Sequence, residues 1–182
     1  VGVAAVAAAT LALAACSSSD PADETTASDA ATDTATSDAA FPVTLENKFG
    51  TTTIEEQPER VVSVGYHEQD WLYALGIAPV AVREWYGGYE YATWPWAEEA
   101  RQAVGAEPVV LDNAEINIEQ VASLDPDLIV ATWSGITQEQ YDLLSQIAPV
   151  VAFPDAPWST PWQDTITITG TAMGKADEAK AL

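Results

Sequence analysis

The sequence predicts an α/β fold: a parallel β-sheet with helices on both faces. Three observations predict it. Short, continuously apolar runs such as Leu128–Ala131 and Val150–Phe153 read as strands covered on both sides, because a half-exposed strand would alternate apolar with polar. Segments with helix-start signatures alternate with these runs. At 48% hydrophobic and 9% aromatic, the 182-residue chain can also bury a core despite its acidity.

The elements follow in order along residues 41–182. Phe41–Leu45 and Thr51–Ile54 are β-prone runs around Asn47-Lys48-Phe49-Gly50 and predict a hairpin. Arg60–Val64 is the first sheet strand, ended by Gly65. Glu68 to Leu75 predicts a helix with Trp71, Leu72 and Leu75 on one face and Gly76 as its stop. Val80–Val82 is the next strand, Glu98–Ala103 a helix and Pro108–Leu111 extended. Asn117, Thr137 and Thr160 each stand three residues before a Gln. That spacing predicts a capping box, in which the cap oxygen accepts the backbone N–H of the Gln and the Gln side chain returns the bond. Pro161 at the first helical position strengthens the third case.

The segments before the body differ in composition. Residues 1–15, VGVAAVAAATLALAA, form an uncharged apolar run shorter than the roughly 20 residues a membrane-spanning helix needs, and read as the hydrophobic region of a signal peptide. With no initiator Met or basic start, the sequence is expected to begin inside that leader. The run ends Leu13-Ala14-Ala15-Cys16, which resembles a bacterial lipobox, so Cys16 is expected to carry lipid. Residues 16–40 are rich in Ser, Ala, Thr and Asp, without aromatic or large aliphatic side chains. They predict a disordered tether, since little apolar surface is available to offset the entropy of ordering.

Charge and rare residues exclude several functions. With 28 Asp+Glu against 6 Lys+Arg, the net charge is -22. No basic stripe exists to release counterions from a nucleic acid or to hold an anionic lipid surface. Six of the acidic residues precede residue 41 and no basic one does, which leaves -16 on the body. The single Cys excludes an internal disulfide, and the single His argues against a multi-His metal site, so no metal site is expected.

Ligands of parallel sheets collect at the carboxyl ends of the strands. There the sequence places Tyr66 and His67, then Arg83, Trp85 and Tyr86, then Trp133 and Ser134, and finally Trp158. Six of the seven Trp lie in or beside such loops; Trp94 and Trp96 are among them. Padding of loops accounts for any one Trp as well as ligand contact does, but for the set an aromatic ligand wall is the better account. Arg83 suits an anionic oxygen equally as well as a salt bridge to a neighbouring Glu. A lone His67 is more often a hydrogen-bonding group than a metal ligand. Ser134, in Trp-Ser-Gly, lacks the nucleophile-elbow context, and the paired carboxylates Glu55-Glu56 and Glu98-Glu99 read as solvated faces. No catalytic set can be assembled, and the chain is not expected to be an enzyme.

Several ordered motifs carry a resemblance: Gly50-x-Thr52-x-Ile54; Pro58-x-Arg60-Val61-Val62-Ser63; Ala74-Leu75-Gly76-x-x-Pro79-Val80; and Asn117-x-Glu119-x-Val121-Ala122-x-Leu124-x-Pro126-Asp127-Leu128-Ile129. Together with the lipobox they resemble the substrate-binding lipoproteins of bacterial ABC importers for ferric siderophores, relatives of the haem and cobalamin receptors. The resemblance implies a Rossmann-like N-terminal lobe over residues 41–160, one of two lobes flanking a shallow ligand cleft. It implies that residues 161–182 begin the long helix joining the lobes, and that the chain is truncated at both ends. It places Tyr66, His67, Arg83, Trp85, Tyr86, Trp133, Ser134 and Trp158 on the cleft, and Glu98 and Glu99 on a rim that docks the permease. The implied protein is a monomeric receptor, anchored through Cys16 to the outer face of the cell membrane. It would carry a ferric siderophore as transported ligand, without a cofactor, to an ABC permease. One cation near the site and a body charge of -16 favour a neutral or cationic, hydroxamate-type siderophore over a strongly anionic catecholate. The alternatives are a haem or cobalamin receptor of the same fold, or an extracellular glycan-binding module.

Overall fold

The computed structural model describes residues 40–182. The apolar run 1–15, Cys16 and the tether up to residue 39 lie outside the described residues.

Strands β1 (Val43–Asn47) and β2 (Gly50–Ile54) form the expected antiparallel hairpin, with Asn47 opposite Gly50 and Lys48-Phe49 at its tip. Its tip is pinned rather than free. The Phe49 ring lies 4.7 Å from that of Tyr141 and 5.4 Å from that of Phe153. The Lys48 N–H donates to the Phe153 carbonyl at 2.9 Å, and the Thr52 hydroxyl to the Val150 carbonyl at 2.6 Å.

The main sheet is parallel throughout. Its order is β5 (Val109–Leu111), β4 (Ala81–Arg83), β3 (Val61–Ser63), β6 (Leu128–Ala131) and β7 (Val150–Ala152). Alternation along the strands explains why these runs are apolar at every position. Val62, Ile129, Ala131 and Val150 face one core with Val121, Leu144 and Phe153; Val61, Leu128, Val130 and Val151 face another with Leu72, Ala172 and Met173. Helices α3 (Ile118–Ser123) and α4 (Gln138–Leu144) supply the first core; α1 (Glu68–Ala74) and α5 (Trp162–Ala172) supply the second. Helix α2 (Glu98–Ala103) packs on α1 through Tyr73, Ala97 and Ala100. The edge strand β5 leaves Val109 and Val110 exposed, which is where the covered faces end.

Two expectations need correction. Only Thr137 and Gln140 form a complete capping box; the Asn117 side chain accepts from the Gln120 N–H without a reciprocal bond. Thr160 caps nothing. Its buried hydroxyl donates to the Thr132 carbonyl at 2.9 Å, and Pro161 takes the N-cap position. The single helix expected over 162–182 is two helices, α5 and α6 (Ala176–Ala181). Gly174, at φ +69°, ends α5 in the left-handed conformation, and the chain then turns back so that Ala179 sits on Gly170.

Candidate functional site

All five sheet strands end on one side, and the strand order reverses at β3: β4 and β5 lie to one side of it, β6 and β7 to the other. The loops after β3 and β6 therefore flank the point where a doubly wound sheet opens a crevice. The loop after β3 carries Tyr66 and His67; the loop after β6 carries Trp133 and Ser134.

The structure gathers the predicted aromatic residues into one connected set. Tyr66 stacks on Trp158, centroids 5.1 Å apart at 15°, and lies 6.5 Å from Tyr86. His67 sits between Trp85 at 5.2 Å and Trp133 at 5.8 Å. Trp133 and Trp158 meet edge to face at 6.4 Å. Tyr86 and Trp158 are exposed at 68% and 42%, so the set has an open face as well as a packed one. His67 and Trp158 both have left-handed backbones, at φ 51° and 58°. For residues with a Cβ that conformation costs about 1–2 kcal/mol each, so their surroundings must hold them in it. For Trp158 the hold is visible: its N–H donates to the Ser134 carbonyl, and its indole lies so close to Gly135 that a Cβ there would sit 2.7 Å from the ring.

Arg83 occupies the centre beneath this face. It is only 7% exposed, and its guanidinium lies 4.7 Å over the Tyr66 ring. It donates to the carbonyls of Val64 at 3.3 Å, Asp112 at 3.4 Å and Asn113 at 2.9 Å. The ion pairs among the described residues are Arg101–Glu98, Lys175–Glu178 and Lys180–Asp177, so the alternative of a salt bridge for Arg83 does not hold. A buried guanidinium satisfied by neutral carbonyls alone keeps its charge available to a ligand oxygen. Arg83 and Trp158 border a depression with Glu115, Gly135, Ile136 and Gln140.

Other predicted residues are placed differently. Ser134 is fully buried and its hydroxyl donates to the Ala131 carbonyl at 2.8 Å, so it braces the loop after β6 and presents no hydroxyl to the open face. Glu98 is engaged within its own helix: both carboxylate oxygens accept from Arg101, and these bonds with that from Gln102 hold its carboxyl down to about 2. Glu99 is exposed. Three residues beyond those placed on the cleft join the site: Trp94, already counted in the aromatic wall, and Tyr89 and Glu68. Trp94 bridges Trp85 at 5.5 Å and Tyr89 at 4.8 Å, extending the aromatic set. Glu68 is fully buried under the two central loops. Among the described residues no three His, Cys, Asp or Glu side chains come together as a metal-holding group.

Burial lowers the pKa of His67 from its ordinary 6.5, outweighing its own backbone hydrogen bond. In the unfolded chain the imidazole then takes its proton at a higher pH than in the fold, so this residue's contribution to stability is present above 6.5 and is lost as pH falls below it. We expect His67→Gln to flatten that part of the pH dependence. Thermal melts of both proteins from neutral pH downward check it. An unchanged difference between the two across that range would contradict it.

The parallel α/β sheet with this loop-built face is the architecture of a periplasmic binding protein, and the chain belongs to the Periplasmic binding protein family, whose profile matches residues 61–182. That family comprises substrate-binding transport proteins, not enzymes, and what its members carry is a transported ligand rather than a cofactor. Among curated relatives, the chain is 35% identical over 141 residues to the "Probable siderophore-binding lipoprotein YfiY" of Bacillus subtilis, which covers 75% of this chain and 40% of that one. Among solved structures it is similar to a periplasmic solute binding protein from Mycobacterium smegmatis, with 45% identity and a TM-score of 0.72, covering 76% of this chain and 49% of the other. It is also similar to PiaA of Streptococcus pneumoniae in complex with ferrichrome, with 35% identity and a TM-score of 0.71, covering 76% and 47%. The chain thus spans less than half the length of these relatives.

Proposed function

We propose that this protein binds a ferric siderophore on the face formed by Tyr66, His67, Arg83, Trp85, Tyr86, Trp133 and Trp158. From a lipid anchor on Cys16, outside the cytoplasm, it would deliver the ligand to an ABC permease. The observation that carries this reading is the buried Arg83 guanidinium, without a carboxylate partner among the described residues, set under an open aromatic wall at the point where the strand order reverses. Such a floor can hydrogen-bond the oxygens around a chelated ferric ion while the rings cover the chelate's apolar frame. The protein contacts the chelate and does not ligate iron. The ferrichrome complex of the pneumococcal relative supports the ligand class. The lengths of the relatives support a second lobe that completes the cleft, with α6 leading into the helix that joins the two. Glu99 is the freer of the two acidic rim residues for permease docking, since Glu98 is held by Arg101.

A single cation and the acidic body favour a neutral or cationic hydroxamate chelate, because net repulsion penalises a strongly anionic one. Titration of the full-length protein, followed by quenching of its Trp fluorescence, tests this. Ferrioxamine-type chelates are expected to bind more tightly than a ferric tricatecholate. Tight tricatecholate binding with none of ferrioxamine would overturn it.

A further inference from the structure

We propose that Glu68 is the positioning residue of the binding face: its carboxylate ties the loop after β3 to the loop after β6 and thereby sets Tyr66 and His67 against Trp133. The inference rests on the ligand reading above for its functional meaning, while its structural part stands on geometry alone.

Glu68 is the first residue of α1 and is fully buried, yet among the described residues no cation pairs with it. A buried carboxylate without a counter-charge is costly unless donors fill its lone pairs. Here they do. One oxygen accepts from the Thr132 hydroxyl at 2.9 Å and the Trp133 N–H at 2.6 Å. The other accepts from the Ser63 hydroxyl at 2.7 Å and the Gly65 N–H at 3.0 Å. Each oxygen thus serves one loop. The placement along the strands gives the reason. The β3–β6 ladder runs one bond past the strand ends, Val64 N–H to the Val130 carbonyl, and is then interrupted before a last direct backbone bond between the two loops. Glu68 fills the space where ladder bonds would have continued, and the Tyr66 N–H reaches the Trp133 carbonyl at 3.0 Å just beyond it. Burial raises the Glu68 carboxyl above its ordinary range and the four donors oppose that shift. The donor set, with two backbone N–H groups that cannot reverse, is built for the ionised form.

Glu68→Gln separates this role from simple packing. The amide has nearly the shape of the carboxylate, but whichever way it is turned its NH2 faces a backbone N–H. One loop must therefore release. In full-length protein we expect faster hydrogen exchange across residues 64–67 and 132–135 while β3 and β6 stay protected. We also expect ferrioxamine binding weakened by about tenfold or more, the order expected for a lost hydrogen bond to a charged group. A core variant on the α4 face, Leu144→Ala, serves as the stability control. A merely structural Glu68 predicts that the control loses as much affinity at an equal loss of melting temperature; a positioning Glu68 predicts that it does not. If Glu68→Gln does not fold, Thr132→Val removes one hydroxyl donor, leaves both backbone donors, and is expected to speed exchange in the 132–135 loop alone. Wild-type exchange rates in both loops, or affinity loss matched by the control, would overturn the proposal. If the wild-type protein binds no ferric chelate, the ligand reading fails, and the exchange comparison still decides whether Glu68 ties the loops.

Discussion

Arg83→Met is expected to weaken ferric-chelate binding at least about 30-fold, since removing one member of a buried, hydrogen-bonded charged contact costs about 2 kcal/mol or more. Methionine keeps much of the stem that packs beneath Tyr66 and removes the charge and every donor. The loss has two origins. The ligand oxygen loses its cationic partner, and the carbonyls of Val64, Asp112 and Asn113 lose the donor that now ties the end of β3 to the loop after β5. Arg83→Lys separates them. Lysine restores a charge but offers a compact ammonium in place of the planar fork, so it cannot span three carbonyls and stack on Tyr66 together. Its affinity should fall between wild type and Met, with most of the loop order lost. Fluorescence titration and thermal melts of the three proteins measure both effects. Binding by the Met variant at wild-type strength would remove Arg83 from the ligand contact.

The parts of this molecule that could be read from sequence share one physical property: their signals are local. Leu128–Ala131 announces a central strand because each of its side chains is apolar, and it is bounded as expected. Thr137 and Gln140 announce a helix start because both halves of the box lie within one turn. The gathering of the aromatic loops was legible because aromatic residues followed strands, and strand ends in a parallel sheet share one side. Signals that depend on what the chain meets later were not legible. Thr160 has the capping spacing, but its hydroxyl is taken by Thr132, a contact 28 residues away in the chain. Ser134 looks accessible in a Trp-Ser-Gly loop, yet it is turned inward to Ala131. Glu68 stands in the sequence only as the first residue of a helix, a place where an acid is ordinary. Only the convergence of two loops 65 residues apart shows it to be buried and fully bonded. The break between α5 and α6 was signalled by Gly174, and the run of helix-forming residues after it obscured the turn.

The same convergence makes Gly65→Ala a strongly damaging single-methyl change. Gly65 lies outside the left-handed region, so its backbone suits any residue, and an alanine there would ordinarily stabilise by about 0.4–1 kcal/mol through the unfolded chain. The structure reverses that sign. A Cβ on Gly65 would overlap the Glu68 carboxyl carbon and Oε1 and stand 2.6 Å from its Oε2. The far end of a glutamate normally swings away at little cost. This one is held by Ser63, Gly65, Thr132 and Trp133, and moving it orphans the buried Gly65 N–H and the half-buried Trp133 N–H. We expect a loss of about 3 kcal/mol, at the upper end of what overpacking costs, with part of it from the unmade hydrogen bonds. For a domain of this size that is a fall of roughly 10 °C in melting temperature. A double variant tests the cause. With Glu68→Ala the space that the new methyl needs is empty, so Gly65→Ala should cost far less in that background than in wild type, and the two losses should fall well short of additive. Binding should stay weak in the double variant, because truncating Glu68 relieves the clash without rejoining the loops. Additive melting losses would place the damage at Gly65 somewhere other than the Glu68 carboxylate.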